Sequence, residues 1–330
     1  MKTALLAFLP ALLCSYFLTP LVLRLARRYN VIDQPDERRV HVRPTPRWGG
    51  IAIYSAFVVA VVLTVAIHPK VRFDAQIMGV LLGGTVVAVV GLLDDKYEFS
   101  PLVQIAAIFA GGFVLIALGS KITYVSNPFG ADINLRWFAI PVTLLWVFGV
   151  TKTVDLMDGL DGLAAGICAI ASATLLVMSF REVDPAWAQH HTKALISSFV
   201  TVRVFSSALL GASLGFLRFN YPPARIFMGT IGAQFMGFVI ASASVISAFK
   251  VAALVAMAVP LFVLAIPILD TAFVVVKRML GGRRVYEADK SHVHHRLLDR
   301  GLSHGQTIWV IYLLTGVLST FGLVLYWHSK

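Results

Sequence analysis

Long apolar runs separated by short polar stretches dominate the chain. Ten runs are continuous enough to form helices that cross a bilayer: residues 3–23, 50–68, 75–93, 101–119, 137–153, 159–180, 193–217, 231–249, 251–276 and 307–327. A helix needs roughly 20 apolar residues to cross a hydrocarbon core, and unbroken runs favour helices over the alternating pattern of a β-barrel. The pattern predicts an all-α polytopic membrane protein with about ten transmembrane helices, packed as a single domain over residues 1–330.

Composition and charge agree with this class and suggest an orientation. Hydrophobic residues make up 58% of the chain and charged residues only 14%, which excludes an ordinary soluble domain. Of the 28 Lys and Arg, 18 fall at Lys152 or in the alternate loops 24–49, 94–100, 154–158, 218–230 and 277–306. Because positively charged loops stay in the cytoplasm, we expect these loops inside and both termini outside.

Three aspartates interrupt the apolar pattern in the stretch TKTVDLMDGLDGLAAG. Asp155, Asp158 and Asp161 would share one face if this stretch were helical. The two Asp-Gly pairs are also turn signals, so part of the stretch can be a loop that enters the next helix. A helix cap would explain one aspartate and leave the other two without a reason.

Two further aspartates end the third apolar run. Asp94 and Asp95 lie side by side at a predicted helix C-terminus, where the helix dipole disfavours anions. They belong either to a solvated loop or to a divalent cation site, since Mg²⁺ takes one or two carboxylates together with substrate phosphates. The residues favour the cation site, close to the cytoplasmic ends of the helices.

Basic and histidine-containing loops accompany these acids. Arg47 belongs to an arginine-rich loop, DERRVHVRPTPRWGG, that fits either a positive cytoplasmic loop or phosphate capture. A later loop holds His292, His294, His295 and Arg296 in a spacing that matches no common zinc site. Contact with a pyrophosphate or a sugar fits this loop better. Arg203 lies inside a span, where a charge is a functional candidate by default, and its role stays open.

Five motifs together resemble the polyprenyl-phosphate N-acetylhexosamine-1-phosphate transferases, in the branch that transfers N-acetylglucosamine-1-phosphate. They occur in order as DQPDERRVHVRPTPRWGG, GLLDD, DGLDGLAAG, FNYPPARIFMG and ADKSHVHHRLLDRGLSH. The resemblance implies that undecaprenyl phosphate attacks the β-phosphate of a UDP-sugar and releases UMP, as the first membrane step of cell-envelope polysaccharide synthesis. It also implies Mg²⁺, or Mn²⁺ in its place, a bacterial inner membrane location and an active site on the cytoplasmic face.

The resemblance also assigns roles to individual residues. Asp94 matches the metal ligand of the family, and Asp95 beside it is expected near the carrier phosphate. Asp158, Asp161 and Asn220 match the nucleotide-sugar pocket. The positions that match the loop near the pyrophosphate are His292, His294, His295 and Arg296. The expected partners are the UDP-sugar, undecaprenyl phosphate and the lipid bilayer; a homodimer stays open, and no nucleic acid is expected.

Three positions depart from the family pattern. Thr230 stands where the family usually has an aspartate that helps to hold Mg²⁺, and Lys152 and Asp155 stand where it prefers asparagines. In one interpretation Asp155 replaces the lost ligand, so that Asp94 and Asp155 hold the metal. In the other, Lys152 and Asp155 pair with each other and the chain is a catalytically impaired relative that binds nucleotide-sugar or lipid. A third hypothesis, an ion-coupled transporter, rests on Arg203 and Asp270 alone.

Overall fold

The computed structural model describes residues 1–34, 44–69, 71–125, 133–180, 193–247, 261, 264–265, 268–270, 273 and 293–328. Its helices are α1 Lys2–Arg28, α2 Gly50–Ile67, α3 Ala75–Tyr97, α4 Pro101–Ala117, α5 Ala139–Met157, α6 Leu163–Met178, α7 Lys193–Asn220, α8 Gly229–Ser247, α9 Val293–Asp299 and α10 His304–His328. A short 3-10 helix, Arg136–Phe138, precedes α5. Two antiparallel strand pairs complete the described elements: β1 Ile32–Asp33 with β2 Thr45–Pro46, and β3 Tyr124–Val125 with β4 Ile133–Asn134.

The described helices confirm a mostly helical, polytopic membrane protein. Seven of them are long and apolar enough to cross a membrane: α1, α2, α3, α5, α7, α8 and α10. The helices α4 and α6 are apolar but shorter, with 17 and 16 residues. Most of the predicted span 251–276 lies outside the described residues. The predicted span 159–180 corresponds to a helix that begins only at Leu163, because an Asp-Gly turn precedes it.

Helix α8 forms the centre of the bundle. Every residue from Ile231 to Ser247 in this helix is buried, whereas α1 and α10 are buried over only 28% of their most apolar windows. Phe235 of α8 packs its ring against Phe57 of α2 at 5.4 Å, and Phe57 packs against Phe205 of α7 at 5.8 Å. The first residues of α8 lie beside the end of α3 and the beginning of α2.

Arg203 has a structural partner within the bundle. It is 5% exposed on α7, and its Nη2 atom donates a hydrogen bond to the carbonyl of Ser179 at 2.5 Å. Its guanidinium also lies over the ring of Phe180 at 4.3 Å. Ser179 is the C-terminal cap of α6, and a cation near a helix C-terminus is favourable. Arg203 therefore fixes the end of α6 that lies away from the Asp-Gly turn.

We predict that Arg203→Leu destabilises the bundle. The substitution leaves the Ser179 carbonyl without its charged donor, which costs about 1–3 kcal/mol of unfolding free energy. Thermal unfolding in detergent measures the loss as a lower Tm. Arg218→Leu, at an exposed position near the other end of α7, is the control and should change stability by less than about 0.5 kcal/mol. Equal effects of the two substitutions would contradict the structural role of Arg203.

Candidate active site

Asp95 joins the end of α3 to the beginning of α8. Its carboxylate accepts hydrogen bonds from the backbone N–H groups of Thr230 at 2.8 Å and Ile231 at 3.4 Å. These amides belong to the first turn of α8, where N–H groups lack partners within the helix and the dipole favours an anion. Gly229 begins α8 with φ +70, and a Cβ atom there would lie 2.3 Å from Asp95 Oδ2. Glycine is therefore required at position 229 for both reasons.

Asp94, one residue earlier, joins α3 to α4. Its Oδ1 atom accepts a hydrogen bond from the backbone N–H of Phe99 at 3.0 Å, and its Oδ2 atom accepts one from Gln104 Nε2 at 2.9 Å. Asp94 and Asp95 are each 6% exposed, although they occupy the last turn of α3. Hydrogen-bond donors from two neighbouring helices thus offset the unfavourable dipole at this helix end.

Lys152 and Asp155 of α5 form an ion pair. Lys152 Nζ lies 2.6 Å from Asp155 Oδ2. This is the pairing that one of the two interpretations of the sequence predicted. Lys152 Nζ also donates to Gln104 Oε1 at 2.6 Å, and Gln104 in turn contacts Asp94. The amide of Gln104 therefore stands between the two predicted metal ligands, Asp94 and Asp155. Their assignment to a metal stays a prediction.

The turn between α5 and α6 carries Asp158 and Asp161. Helix α5 ends at Met157 and α6 begins at Leu163, so the three aspartates do not step along a continuous helix as one interpretation of the sequence required. The chain reverses at Gly162, whose φ of +77 suits glycine. The turn places Asp158 near Asp95 of α3, whereas Asp155 remains on α5.

Hydrogen bonds hold this turn on two sides. Asn220 Oδ1 accepts the N–H of Gly162 at 3.0 Å, and Asp161 Oδ2 accepts the N–H of Ala224 at 2.9 Å. From α10, the hydroxyl of Tyr312 donates to the carbonyl of Gly162 at 2.5 Å. Asn220 also donates to the carbonyl of Ile226 and is 2% exposed. Asn220 and Asp161 therefore position the turn, and their contact with a nucleotide-sugar stays a prediction.

Asp158 lies among other carboxylates. Burial raises its pKa well above the usual aspartate value, and the neighbouring charges of Asp155, Asp95 and Asp161 raise it further. The nearby guanidinium of Arg47 acts in the opposite direction. Negative charge is thus in excess at this point, and an added cation would be stabilised there. Within the described ranges, however, no three side chains of His, Cys, Asp or Glu lie close enough together to hold a metal ion.

Backbone hydrogen bonds place Arg47 beside this cluster. The strand β2 pairs with β1, and Gly49 and Gly50 donate their N–H groups to the carbonyls of Phe227 and Met228 at 2.9 and 2.8 Å. The loop is thereby attached to the residues that lead into α8. Arg47 forms an ion pair with Asp33, and its side chain remains 22% exposed. An anion that binds Arg47 would therefore share its guanidinium with Asp33.

The histidine-containing segment is described only in part. His292 lies outside the described residues, and His294 and His295 belong to α9, where their side chains are also not described. Arg296 is exposed and lies over the ring of Phe273 at 5.7 Å. Asp270 accepts the N–H of Val293 at 2.8 Å and so binds the N-terminus of α9. Roles near a pyrophosphate stay predictions for all four residues.

Two glutamines in the site, Gln104, which is half-buried, and Gln234, which is buried, were missed by sequence reasoning. Gln104 and Gln234 lie in the apolar helices α4 and α8 and contact Lys152 or Asp155. A polar amide inside a membrane-spanning helix is uncommon and points to a polar interaction between helices. That signal was present in the sequence, whereas the partners of each glutamine could come only from the structure.

Comparison with known proteins assigns the family. Residues 77–248 match the family described as glycosyl transferase family 4. The chain is 37% identical over 320 residues to the probable undecaprenyl-phosphate N-acetylglucosaminyl 1-phosphate transferase of Bacillus subtilis (strain 168), covering 97% of this chain and 84% of the relative. It is 32% identical over 328 residues to the decaprenyl-phosphate N-acetylglucosaminephosphotransferase of Mycobacterium leprae (strain TN), covering 94% and 81%.

A more distant relative marks the other branch. The chain is 28% identical over 334 residues to the phospho-N-acetylmuramoyl-pentapeptide-transferase of Shouchella clausii (strain KSM-K16), covering 96% of this chain and 95% of the relative. The chain thus belongs to glycosyl transferase family 4, the polyprenyl-phosphate N-acetylhexosamine-1-phosphate transferases. Within it, the chain is similar to the N-acetylglucosamine-type branch, which confirms the resemblance carried by the five sequence motifs.

We predict that Gly229→Ala disrupts the contact between α3 and α8. The new methyl group would overlap the Asp95 carboxylate, and alanine disfavours the positive φ at this position. We expect a loss of about 1–3 kcal/mol of unfolding free energy, measured by thermal unfolding in detergent. Gly149→Ala is the control, because a Cβ atom there meets nothing within 4 Å and the residue lies within α5. A destabilisation no larger than that of Gly149→Ala would contradict the proposed fit at Asp95.

Proposed function

We propose that this chain transfers N-acetylglucosamine-1-phosphate from UDP-N-acetylglucosamine to undecaprenyl phosphate and releases UMP. The reaction would be the first membrane step of cell-envelope polysaccharide synthesis. The observation that carries the proposal is the gathering of aspartates from α3, α5 and the α5–α6 turn around Asp158, with Arg47 and Lys152 beside them. The names of the relatives, which are sugar-phosphate transferases that use polyprenyl phosphates, support the same reaction.

The proposed setting is the bacterial inner membrane. In this proposal ten helices cross the bilayer, both termini lie outside, and the acidic cluster faces the cytoplasm, where soluble UDP-sugar is available. The excess of Lys and Arg in the loops on that side supports the orientation. In this proposal the whole chain acts as one domain, and a homodimer stays open.

The donor set is compatible with Mg²⁺ only if the substrate completes it. Mg²⁺ commonly takes one or two protein carboxylates together with phosphate oxygens. Asp94 and Asp155 are the side chains proposed to hold the ion, and the excess negative charge at Asp158 favours a cation nearby. When bound, Mg²⁺ or Mn²⁺ would stabilise charge on the phosphoryl oxygens. The neutral hydroxyl of Thr230 would contribute little to a hard cation.

The residues of the chain supply charge and position for the transfer. An oxygen of the carrier phosphate forms a bond to the β-phosphorus of the UDP-sugar, and the bond from that phosphorus to the bridging oxygen breaks with release of UMP. The carrier needs no general base, because a phosphate monoester has a second pKa of about 6 and is largely ionised. Arg47 and Lys152 offset the repulsion between the two anions, and the tethered α5–α6 turn holds Asp158 in place.

A second candidate function is nucleotide-sugar binding without turnover. The Lys152–Asp155 ion pair and the neutral Thr230 favour it, because the pair occupies the Asp155 carboxylate and the threonine hydroxyl adds no charge for a metal. Titration of the purified chain with UDP-N-acetylglucosamine beside an activity assay separates the two functions. Binding without UMP release would support this second function. The transporter hypothesis loses its support, since Arg203 caps α6 and Asp270 binds the N-terminus of α9.

Release of UMP tests the proposed reaction. Membranes that contain the chain, undecaprenyl phosphate and Mg²⁺ should produce UMP from UDP-N-acetylglucosamine, and Asp94→Asn should lower the rate by at least about 100-fold. Asp74→Asn, at the opposite end of α3, is the control and should retain the rate, because asparagine caps a helix N-terminus as well as aspartate does. Absence of UMP above background from a folded preparation would reject the transferase function.

Thr230→Asp should raise the rate of UMP release. The substitution adds a carboxylate in the first turn of α8, beside the residues proposed to hold the metal, where the helix dipole favours an anion. We expect a gain of roughly 10-fold, or appearance of activity where the parent chain shows none. Thr230→Asn has a similar shape without the charge and should give no gain. Equal rates for the two variants would show that charge at this position does not limit the reaction.

A further inference from the structure

Four side chains form a closed hydrogen-bonded ring between α4, α5 and α8. Lys152 Nζ donates to Gln104 Oε1 and to Asp155 Oδ2, each at 2.6 Å. Gln234 Nε2 donates to the same two acceptors, at 3.1 Å to Gln104 and 3.2 Å to Asp155. The ring therefore has two donors and two acceptors, and each donor bridges both acceptors.

Lys152 fixes the orientation of the Gln104 side-chain amide in this ring. A lysine ammonium has three donors and no acceptor, so Gln104 must turn its carbonyl oxygen toward Lys152. The amide nitrogen of Gln104 then points away and donates to Asp94 Oδ2 at 2.9 Å. Each of the two proposed metal ligands is thus occupied by a donor of the chain itself: Asp155 by an ammonium and Asp94 by an amide.

Gln234 adds an independent sign that the ring can take up a ligand. This residue is 0% exposed, and its Oε1 atom has no hydrogen-bond partner in the part of the chain that the structure describes. A buried amide oxygen without a partner is costly, and amide carbonyls are suitable ligands for hard cations. The atom belongs to a side chain that already contacts Asp155, so it lies at the ring.

The Lys152–Asp155 pair can open without unfolding the helix. The two side chains are 19% and 15% exposed, so the pair is reached from solvent. A lysine carries its charge on a flexible four-carbon chain and binds phosphate as a point charge. The diphosphate of a nucleotide-sugar offers this ammonium several anionic oxygens in place of one carboxylate.

We infer that Lys152 is a counter-ion latch that makes binding of the divalent cation depend on the nucleotide-sugar. In the structure the ammonium contacts Asp155 Oδ2. The incoming diphosphate draws the ammonium away, and Asp155, together with the free oxygen of Gln234, becomes available to the cation beside Asp94. This inference deepens the proposed function and rests on it for the identity of the nucleotide. Because coupling between two ligands is reciprocal, the cation also tightens binding of the nucleotide.

Binding of Mn²⁺, followed by electron paramagnetic resonance, tests the latch without any need for turnover. The purified full chain is titrated with Mn²⁺ alone and with Mn²⁺ plus UDP-N-acetylglucosamine, with a protein-free titration to subtract binding to the nucleotide. Asp155→Asn should leave the affinity for Mn²⁺ alone unchanged, because Asp155 is then occupied. In the presence of UDP-N-acetylglucosamine it should weaken Mn²⁺ binding by roughly 10-fold. Weakening by the same factor in both titrations, or in neither, would overturn the latch.

Lys152→Met is the complementary variant. Removing the ammonium should strengthen binding of Mn²⁺ alone by roughly 10-fold and reduce the further gain caused by the nucleotide. Lys96→Met is the matched control, because Lys96 is an exposed cation in the last turn of α3, and it should leave both affinities unchanged. An equal gain with Lys96→Met would indicate general electrostatics and overturn the latch. Should Lys152→Met fail to fold, the Asp155→Asn titrations decide alone.

The titrations also separate this inference from the proposed function. If UDP-N-acetylglucosamine does not bind at all, the proposed donor is wrong. The coupling between nucleotide and cation is then overturned with it, and the Mn²⁺ titrations test only whether the Lys152 ammonium competes with the cation: a gain with Lys152→Met supports that competition, and no gain overturns it.

Discussion

The carboxylate of Asp95 binds the first backbone amides of α8, and the arrangement of the site depends on this contact. Helix α8 is buried from Ile231 onward, and the N–H groups of its first turn have no acceptor within the helix, so an acceptor from another helix stabilises them. Asp95 supplies that acceptor from the end of α3, at distances of 2.8 and 3.4 Å. The contact fixes where α3 ends against α8, and hence where Asp94 lies relative to α4 and α5.

The other acids follow the same physical requirement. A carboxylate in a poorly hydrated region needs hydrogen-bond donors or a counter-charge. The described aspartates of the site differ in which partners they have. Asp94 takes an amide and a backbone N–H, Asp155 takes a lysine, and Asp161 takes the N–H of Ala224. Asp158 has the least compensation for its negative charge, and burial together with the neighbouring carboxylates raises its pKa. The scaffold thus holds several carboxylates close together, an arrangement that stabilises a cation, and a cation bound there would attract anionic substrates.

The departures from the family pattern also have a structural context. Thr230 contributes its backbone N–H to Asp95, a role that does not depend on its side chain. Lys152 and Asp155 carry opposite charges and pair, so their joint effect on the net charge of the site is zero. Gln104 links this pair to Asp94, so the pair and the proposed metal ligand share one hydrogen-bonded side chain.

The sequence by itself determined the membrane class, most helix positions and the family, because these depend on runs of apolar residues and on ordered motifs that are local in the chain. The sequence also indicated the aspartates as candidate site residues, because a negative charge at the C-terminal end of an apolar helix is unfavourable without a partner. Only the tertiary structure decided what each aspartate contacts. Residues 95 and 230, or 104, 152 and 234, meet through helix packing across long sequence separations, and no local pattern encodes which donor reaches which carboxylate. No local pattern encodes the partner of Arg203 either. The structure shows that this intramembrane charge caps the end of α6.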